Sequence, residues 1–165
     1  MQPRSMSLVA KLLPLSNIAV DVAVSSKKRL FERLGLLFEN NHGIARSVVF
    51  DSLFARERLG STGLSHGVAI PHGRIKGLKD ALGAFLRLAS AVPFDSPDGK
   101  PVSLVFALLV PEQATERHLQ ILSELAQMFS DGCLRTSMAG ANSADLHQLL
   151  TTWQPDAAGQ RHAVA

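Results

Sequence analysis

The chain has 165 residues, enough for one compact domain and too few for two ordinary ones. Apolar residues make up 46% of it and aromatic residues only 5%, which predicts an aliphatic core. The formal charge of +3 comes from scattered Lys and Arg with no basic stripe interleaved with aromatics, a pattern that argues against a nucleic-acid footprint.

From the N-terminus, Met1 to Val9 has no long apolar region and no small-residue cleavage site, so no signal peptide is read there. No apolar run reaches the roughly 20 residues that a membrane helix needs. Cys133 is the only cysteine, which rules out an internal disulfide framework or a cysteine zinc site. Together these features predict a protein of the reducing cytoplasm without membrane insertion.

Leu12 to Val24 reads as a loop and a short strand, with Val20, Val22 and Val24 alternating against Asp21 and Ala23. Ser25 or Ser26 is the expected cap of a helix from about Lys27 to Glu39, whose apolar stripe is Leu30, Leu34, Leu37 and Phe38. The run Asn40-Asn41-His42-Gly43 ends it with residues that tolerate a left-handed backbone. A second helix is expected from Ala45 to Leu59, with Val48, Val49, Leu53 and Phe54 inward. A loop rich in glycine and hydroxyls, Gly60 to Gly67, then feeds a short strand, Val68-Ala69-Ile70.

Gly83 to Ala89 is a further predicted strand, and Ser96-Pro97-Asp98-Gly99 carries a turn signal. Val102 to Val110 is almost wholly apolar, as a strand buried on both faces should be. Thr115 is the expected N-cap of a helix to Phe129, and shorter helices are expected at Leu134–Ala139 and Ser143–Trp153. Strands alternate with helices around a central hairpin. The predicted fold class is therefore α/β, a single-domain sandwich with a mixed parallel and antiparallel sheet flanked by helices on both sides. The domain is expected to span residues 8–153, with flexible ends at 1–7 and 154–165.

Three features carry chemistry. His72 is pinned between Pro71 and Gly73 at a strand end, where the backbone has little freedom. A neutral imidazole near physiological pH has a free lone pair and can attack phosphorus. His118 lies in the first turn of a helix, in register with Leu122, Leu125 and Phe129. If the strands at 68–70 and 102–110 run parallel, His72 and His118 meet at the carboxyl ends of the strands, where sites on open α/β sheets collect. Arg56, in Arg56-Glu57-Arg58, offers planar paired donors to phosphoryl oxygens, and the hydroxyls of Ser61 and Thr62 could add to them. A metal site built from His66, His72 and His118 is conceivable, but no carboxylate lies beside them at ligand-like spacing, and no metal or cofactor is expected.

The segment Leu53-Phe54-Ala55-Arg56-Glu57-Arg58-Leu59-Gly60-Ser61-Thr62-Gly63, followed by Gly67-Val68-Ala69-Ile70-Pro71-His72-Gly73, resembles the signature of the fructose/mannitol-type enzyme IIA domains. These belong to the bacterial phosphoenolpyruvate-dependent phosphotransferase system. Asp98-Gly99-Lys100-Pro101-Val102, the run Val105 to Pro111, and His118-Leu119 extend the likeness, which covers about Leu8 to Trp153. It is greatest with the family's nitrogen-regulatory branch.

The resemblance implies a phosphotransferase component with a mainly regulatory output. His72 would be the phosphoryl acceptor, forming a tele-phosphohistidine, with His118 as supporting histidine and Arg56 on the phosphoryl oxygens. It also implies an HPr-like histidine phosphocarrier as donor, and targets such as potassium-transport components or sensor kinases. A sugar-specific subunit that passes phosphate to a transporter IIB domain is the alternative. One departure stands before the site. Nitrogen-branch relatives often read Gly-Asn-Gly where this chain has Ser65-His66-Gly67, so His66 is expected to be a solvated loop residue.

Overall fold

The computed structural model describes residues 8–113 and 115–154. In chain order they form α1 (Leu8–Leu12), β1 (Ile18–Val22), α2 (Lys27–His42), α3 (Arg46–Glu57), β2 (Val68–Ala69), β3 (His72–Ile75), β4 (Leu82–Val92), β5 (Val102–Pro111), α4 (Glu116–Phe129), α5 (Gly132–Gly140) and α6 (Ser143–Thr152). The strand order is β1-β4-β5-β2, with β3 following β2 along the same edge of β5. β4 and β5 are antiparallel, whereas β1 runs parallel to β4, and β2 and β3 run parallel to β5. The sheet is mixed, and helices cover both of its faces.

The period-two alternation of β5 decides what each face holds. Leu104, Phe106, Leu108 and Val110 point to a core shared with α1, α4, α5 and α6. Val105, Ala107 and Leu109 point to a second core against α2 and α3. Both cores are aliphatic with a few phenylalanines. Phe85 and Phe106 pack on Phe129 in the first, and Phe31 meets Phe54 and Phe94 edge-on beside the second.

Helix ends follow their local chemistry. Ser26 caps α2 by accepting from the Arg29 N–H at 3.1 Å, and Gly43 closes it at φ +72°. Asp131 caps α5 and also accepts from the buried Trp153 Nε1 at 3.1 Å, which ties the C-terminal helices together. Gly99 closes the 96–99 turn onto the Ser96 carbonyl at 2.9 Å.

Four local expectations change. Leu12, expected to open a loop, instead ends a helical turn over residues 8–12, because Val9 and Leu12 bury against the first core. The first strand is Ile18–Val22 and stops short of Val24. Val48 is 46% exposed, since the buried stripe of α3 is Val49, Leu53 and Glu57 at four-residue spacing. His72 begins a strand instead of ending one. Pro71 cannot donate, but its carbonyl accepts from the Leu108 N–H at 2.9 Å, so pairing with β5 carries on past the proline at the sheet edge. The ends expected to be flexible fall almost wholly outside the described residues.

Candidate active site

The parallel register pairs His72 with Leu108 and Arg74 with Val110, so β3 delivers His72 toward the carboxyl end of β5. There α3 crosses one side and the start of α4 the other. Between them lies a cleft of about 410 Å³ lined by Arg56, Leu59, His72, Arg74, His118 and Leu119 among others. Among the described residues that line it the cations are Arg56 and Arg74, and no carboxylate is present, so the cleft favours an anion. Sequence spacing therefore located three groups that the fold brings together: His72, His118 and Arg56.

Each is held in a chemically specific way. The Nδ1 of His72 lies 2.9 Å from the Ile70 carbonyl oxygen. A carbonyl only accepts, so Nδ1 carries the proton and Nε2 keeps the lone pair. Burial holds this imidazole below the ordinary histidine pKa; the Ile70 carbonyl works against that, Arg56 adds to the lowering, and Glu57 opposes it. The neutral form is thereby favoured, with its lone pair on Nε2.

His118 has the opposite tautomer. Its Nδ1 accepts the Thr115 backbone N–H at 2.9 Å, as the N3 partner of the α4 N-cap, which leaves the ring proton on Nε2. His118 thus presents a donor to the cleft and His72 an acceptor. Arg56, at the end of α3, gives one Nη1 donor to the Gly60 carbonyl at 2.9 Å, and its remaining donors are the ones left for an oxyanion.

The loop hydroxyls are placed otherwise than expected. Ser61 Oγ donates to the Phe94 carbonyl at 2.6 Å and accepts from the Gly63 N–H at 3.0 Å. Thr62 is buried, and its hydroxyl donates to Glu57 Oε2 at 2.5 Å. Neither residue lines the cleft. The expected direct contact of Ser61 and Thr62 with a phosphoryl group is corrected to a role in holding the loop, because both hydroxyls already serve partners inside the fold. His66 is exposed at φ +68°, with its N–H on Asp98 Oδ2 at 2.9 Å, and it too stands outside the cleft lining. Among the described residues no group of three or more His, Cys, Asp or Glu side chains is placed to hold a metal ion.

Two residues to which the sequence reading gave no role matter here. Arg74 is the second cation of the cleft, one residue past Gly73. Glu57 is buried beneath the loop, and a signal for it existed: it falls four residues after Leu53 and eight after Val49, a charge on an apolar stripe.

Gly73 is required for close approach. A Cβ there would come within 3.0 Å of the Ser52 Cβ and carbonyl carbon, where α3 packs on β3. Gly73→Ala is expected to lower stability by about 1–3 kcal/mol through this overpacking, read as a fall in the thermal unfolding midpoint. An unchanged midpoint would show that α3 yields without cost.

The family described as "Phosphoenolpyruvate-dependent sugar phosphotransferase system, EIIA 2" matches residues 11–152, nearly the whole described chain. The chain belongs to that EIIA type 2 family. Among its relatives is the nitrogen regulatory protein of Pseudomonas aeruginosa, 41% identical over 137 residues, 82% of this chain and 89% of that protein. The fructose-specific EIIA component of Haloferax volcanii is 32% identical over 136 residues, 82% of this chain and 88% of that protein. The crystal structure of nitrogen regulatory protein IIA-Ntr from Neisseria meningitidis superposes with a TM-score of 0.83 at 54% identity, covering 88% of this chain and all of that one. As an EIIA type 2 protein the chain has the role of a phosphotransferase-system component, and its likeness is greater to these nitrogen regulatory relatives than to the fructose-specific one. No helix among the described residues is long and apolar enough to cross a membrane.

Proposed function

We propose that the chain is a cytoplasmic phosphohistidine carrier of the nitrogen-related phosphotransferase branch. It takes a phosphoryl group on His72 Nε2 from an HPr-like phosphocarrier and regulates target proteins by its phosphorylation state. The observation that carries this reading is the pairing of tautomers: His72 Nδ1–H tied to Ile70, with Nε2 left as nucleophile in a cleft that holds Arg56 and the Nε2–H donor of His118.

The step balances simply. The Nε2 lone pair forms the new N–P bond as the phosphorus–nitrogen bond to the donor's histidine breaks, and the donor nitrogen keeps that electron pair. The His72 ring gains positive charge during transfer, and the Ile70 carbonyl facing Nδ1–H stabilises it. Arg56 and His118 stabilise the charge spread over the equatorial oxygens. The targets that the resemblance implies, potassium-transport components and sensor kinases, belong to this reading as its regulatory output.

The deciding experiment is reconstitution. Incubation with phosphoenolpyruvate, enzyme I and the histidine phosphocarrier should give an acid-labile, alkali-stable phosphate that mass mapping places on His72. Label on a hydroxyl side chain, or no label at all, would sink the proposal. Transfer from the labelled protein to a purified IIB domain would support the sugar-specific alternative instead.

A further inference from the structure

Glu57 is a carboxylate with no access to the cleft, yet it is held by more partners than any group that lines it. Its side chain is 5% exposed. The Thr62 N–H reaches both of its oxygens, at 3.1 and 3.2 Å, and the Thr62 hydroxyl donates to Oε2. Lys27 Nζ lies 3.0 Å from Oε1 and 4.5 Å above the Phe94 ring, which closes the site from the α2 side.

The contacts do not stop at Thr62. Its carbonyl accepts the Ile70 N–H at 3.0 Å, inside a short antiparallel pairing of residues 62–64 with 68–70. The Ile70 carbonyl in turn accepts Nδ1–H of His72. A continuous line of hydrogen bonds thus runs from the buried carboxylate through the backbones of Thr62 and Ile70 to the His72 ring. Every donor in it points toward the carboxylate, and each residue's N–H and C=O are joined through its Cα, so the line couples the groups by position.

Resting on the reading of His72 as phosphoryl acceptor, we propose that Glu57 is a positioning residue. Through Thr62 and Ile70 it fixes the Ile70 carbonyl against Nδ1 and so selects the His72 tautomer whose Nε2 is nucleophilic. Lys27, with Nζ 3.0 Å from Oε1, holds the carboxylate in place. If the Ile70 carbonyl shifts, the ring loses its anchor, the Nε2–H tautomer gains, and the lone pair leaves the cleft.

The test compares wild type, Glu57→Gln, Thr62→Val and Thr62→Ser, each checked for folding by circular dichroism. Nitrogen-15 NMR of the unphosphorylated protein reads the His72 tautomer. The initial rate of His72 labelling by phosphoramidate, a small donor that needs no docking partner, reads reactivity. Thr62→Val and Glu57→Gln should show Nε2–H signal at His72 and label roughly tenfold more slowly, as small misplacements of reacting groups do. Thr62→Ser, which restores the hydroxyl, should match wild type in both.

Folded Thr62→Val with a wild-type tautomer and rate overturns the proposal. Should Glu57→Gln fail to fold, the Val and Ser variants at position 62 still decide it. Absence of wild-type labelling would count against the carrier reading alone, because the tautomer measurement is made without phosphate.

Discussion

His72→Ala is expected to take up no phosphate from the phosphocarrier, a loss of at least about a thousandfold, since deleting a nucleophile removes the step and not merely a contact. His72→Asn sharpens the result. Its amide N–H₂ can replace Nδ1–H as donor to the Ile70 carbonyl, so the edge strand keeps its hydrogen bond while Nε2 is gone. Both variants should stay folded and both should stay unlabelled. Labelling of either at the wild-type rate would move the acceptor elsewhere.

The same ring predicts a pH signature. Burial depresses its pKa, so the midpoint of His72 protonation, followed by NMR, should fall below about 6.5. Between the folded and unfolded values the unfolded chain binds more protons, and stability therefore rises with pH across that window. Replacing His72 should flatten that rise. A midpoint at or above the free value would show the ring to be solvated.

How much of this was legible in the residues can be traced position by position. The central strand was, because Val102 to Val110 is apolar on both faces and only a doubly covered strand tolerates that. The meeting of His72 and His118 was legible conditionally. It needed the parallel direction of the 68–70 strand, which no local pattern encodes but which the register with β5 supplies. The roles of Ser61 and Thr62 were misread for a physical reason. A hydroxyl in a glycine-rich loop looks the same in sequence whether it faces a ligand or a buried carboxylate, and here Glu57 on the adjoining helix claims it. The strand after Pro71 was missed because proline signals termination, and only the sheet edge shows that its absent N–H costs no ladder bond. The tautomers lay beyond sequence altogether, since they depend on which backbone group each ring nitrogen meets.

Arg56→Ala should slow His72 labelling by roughly tenfold or more, the scale of losing one charge contact in a transition state. The argument rests on placement. Arg56 spends one donor on Gly60 and lines the cleft with the others, and its charge also contributes to the low pKa of His72. Two readouts must therefore move together in Arg56→Ala: a slower rate, and a His72 pKa shifted upward because a neighbouring cation no longer opposes protonation. Arg56→Lys separates charge from geometry. It should keep the His72 pKa near wild type while recovering only part of the rate, because an ammonium lacks the planar pair of donors. Thermal stability should change little, since the Gly60 hydrogen bond is exposed. If the rate stays unchanged while the pKa rises, Arg56 acts on the ring alone and the phosphoryl oxygens are held by His118 or Arg74. If neither moves, Arg56 is a helix C-terminal cation that serves the dipole of α3.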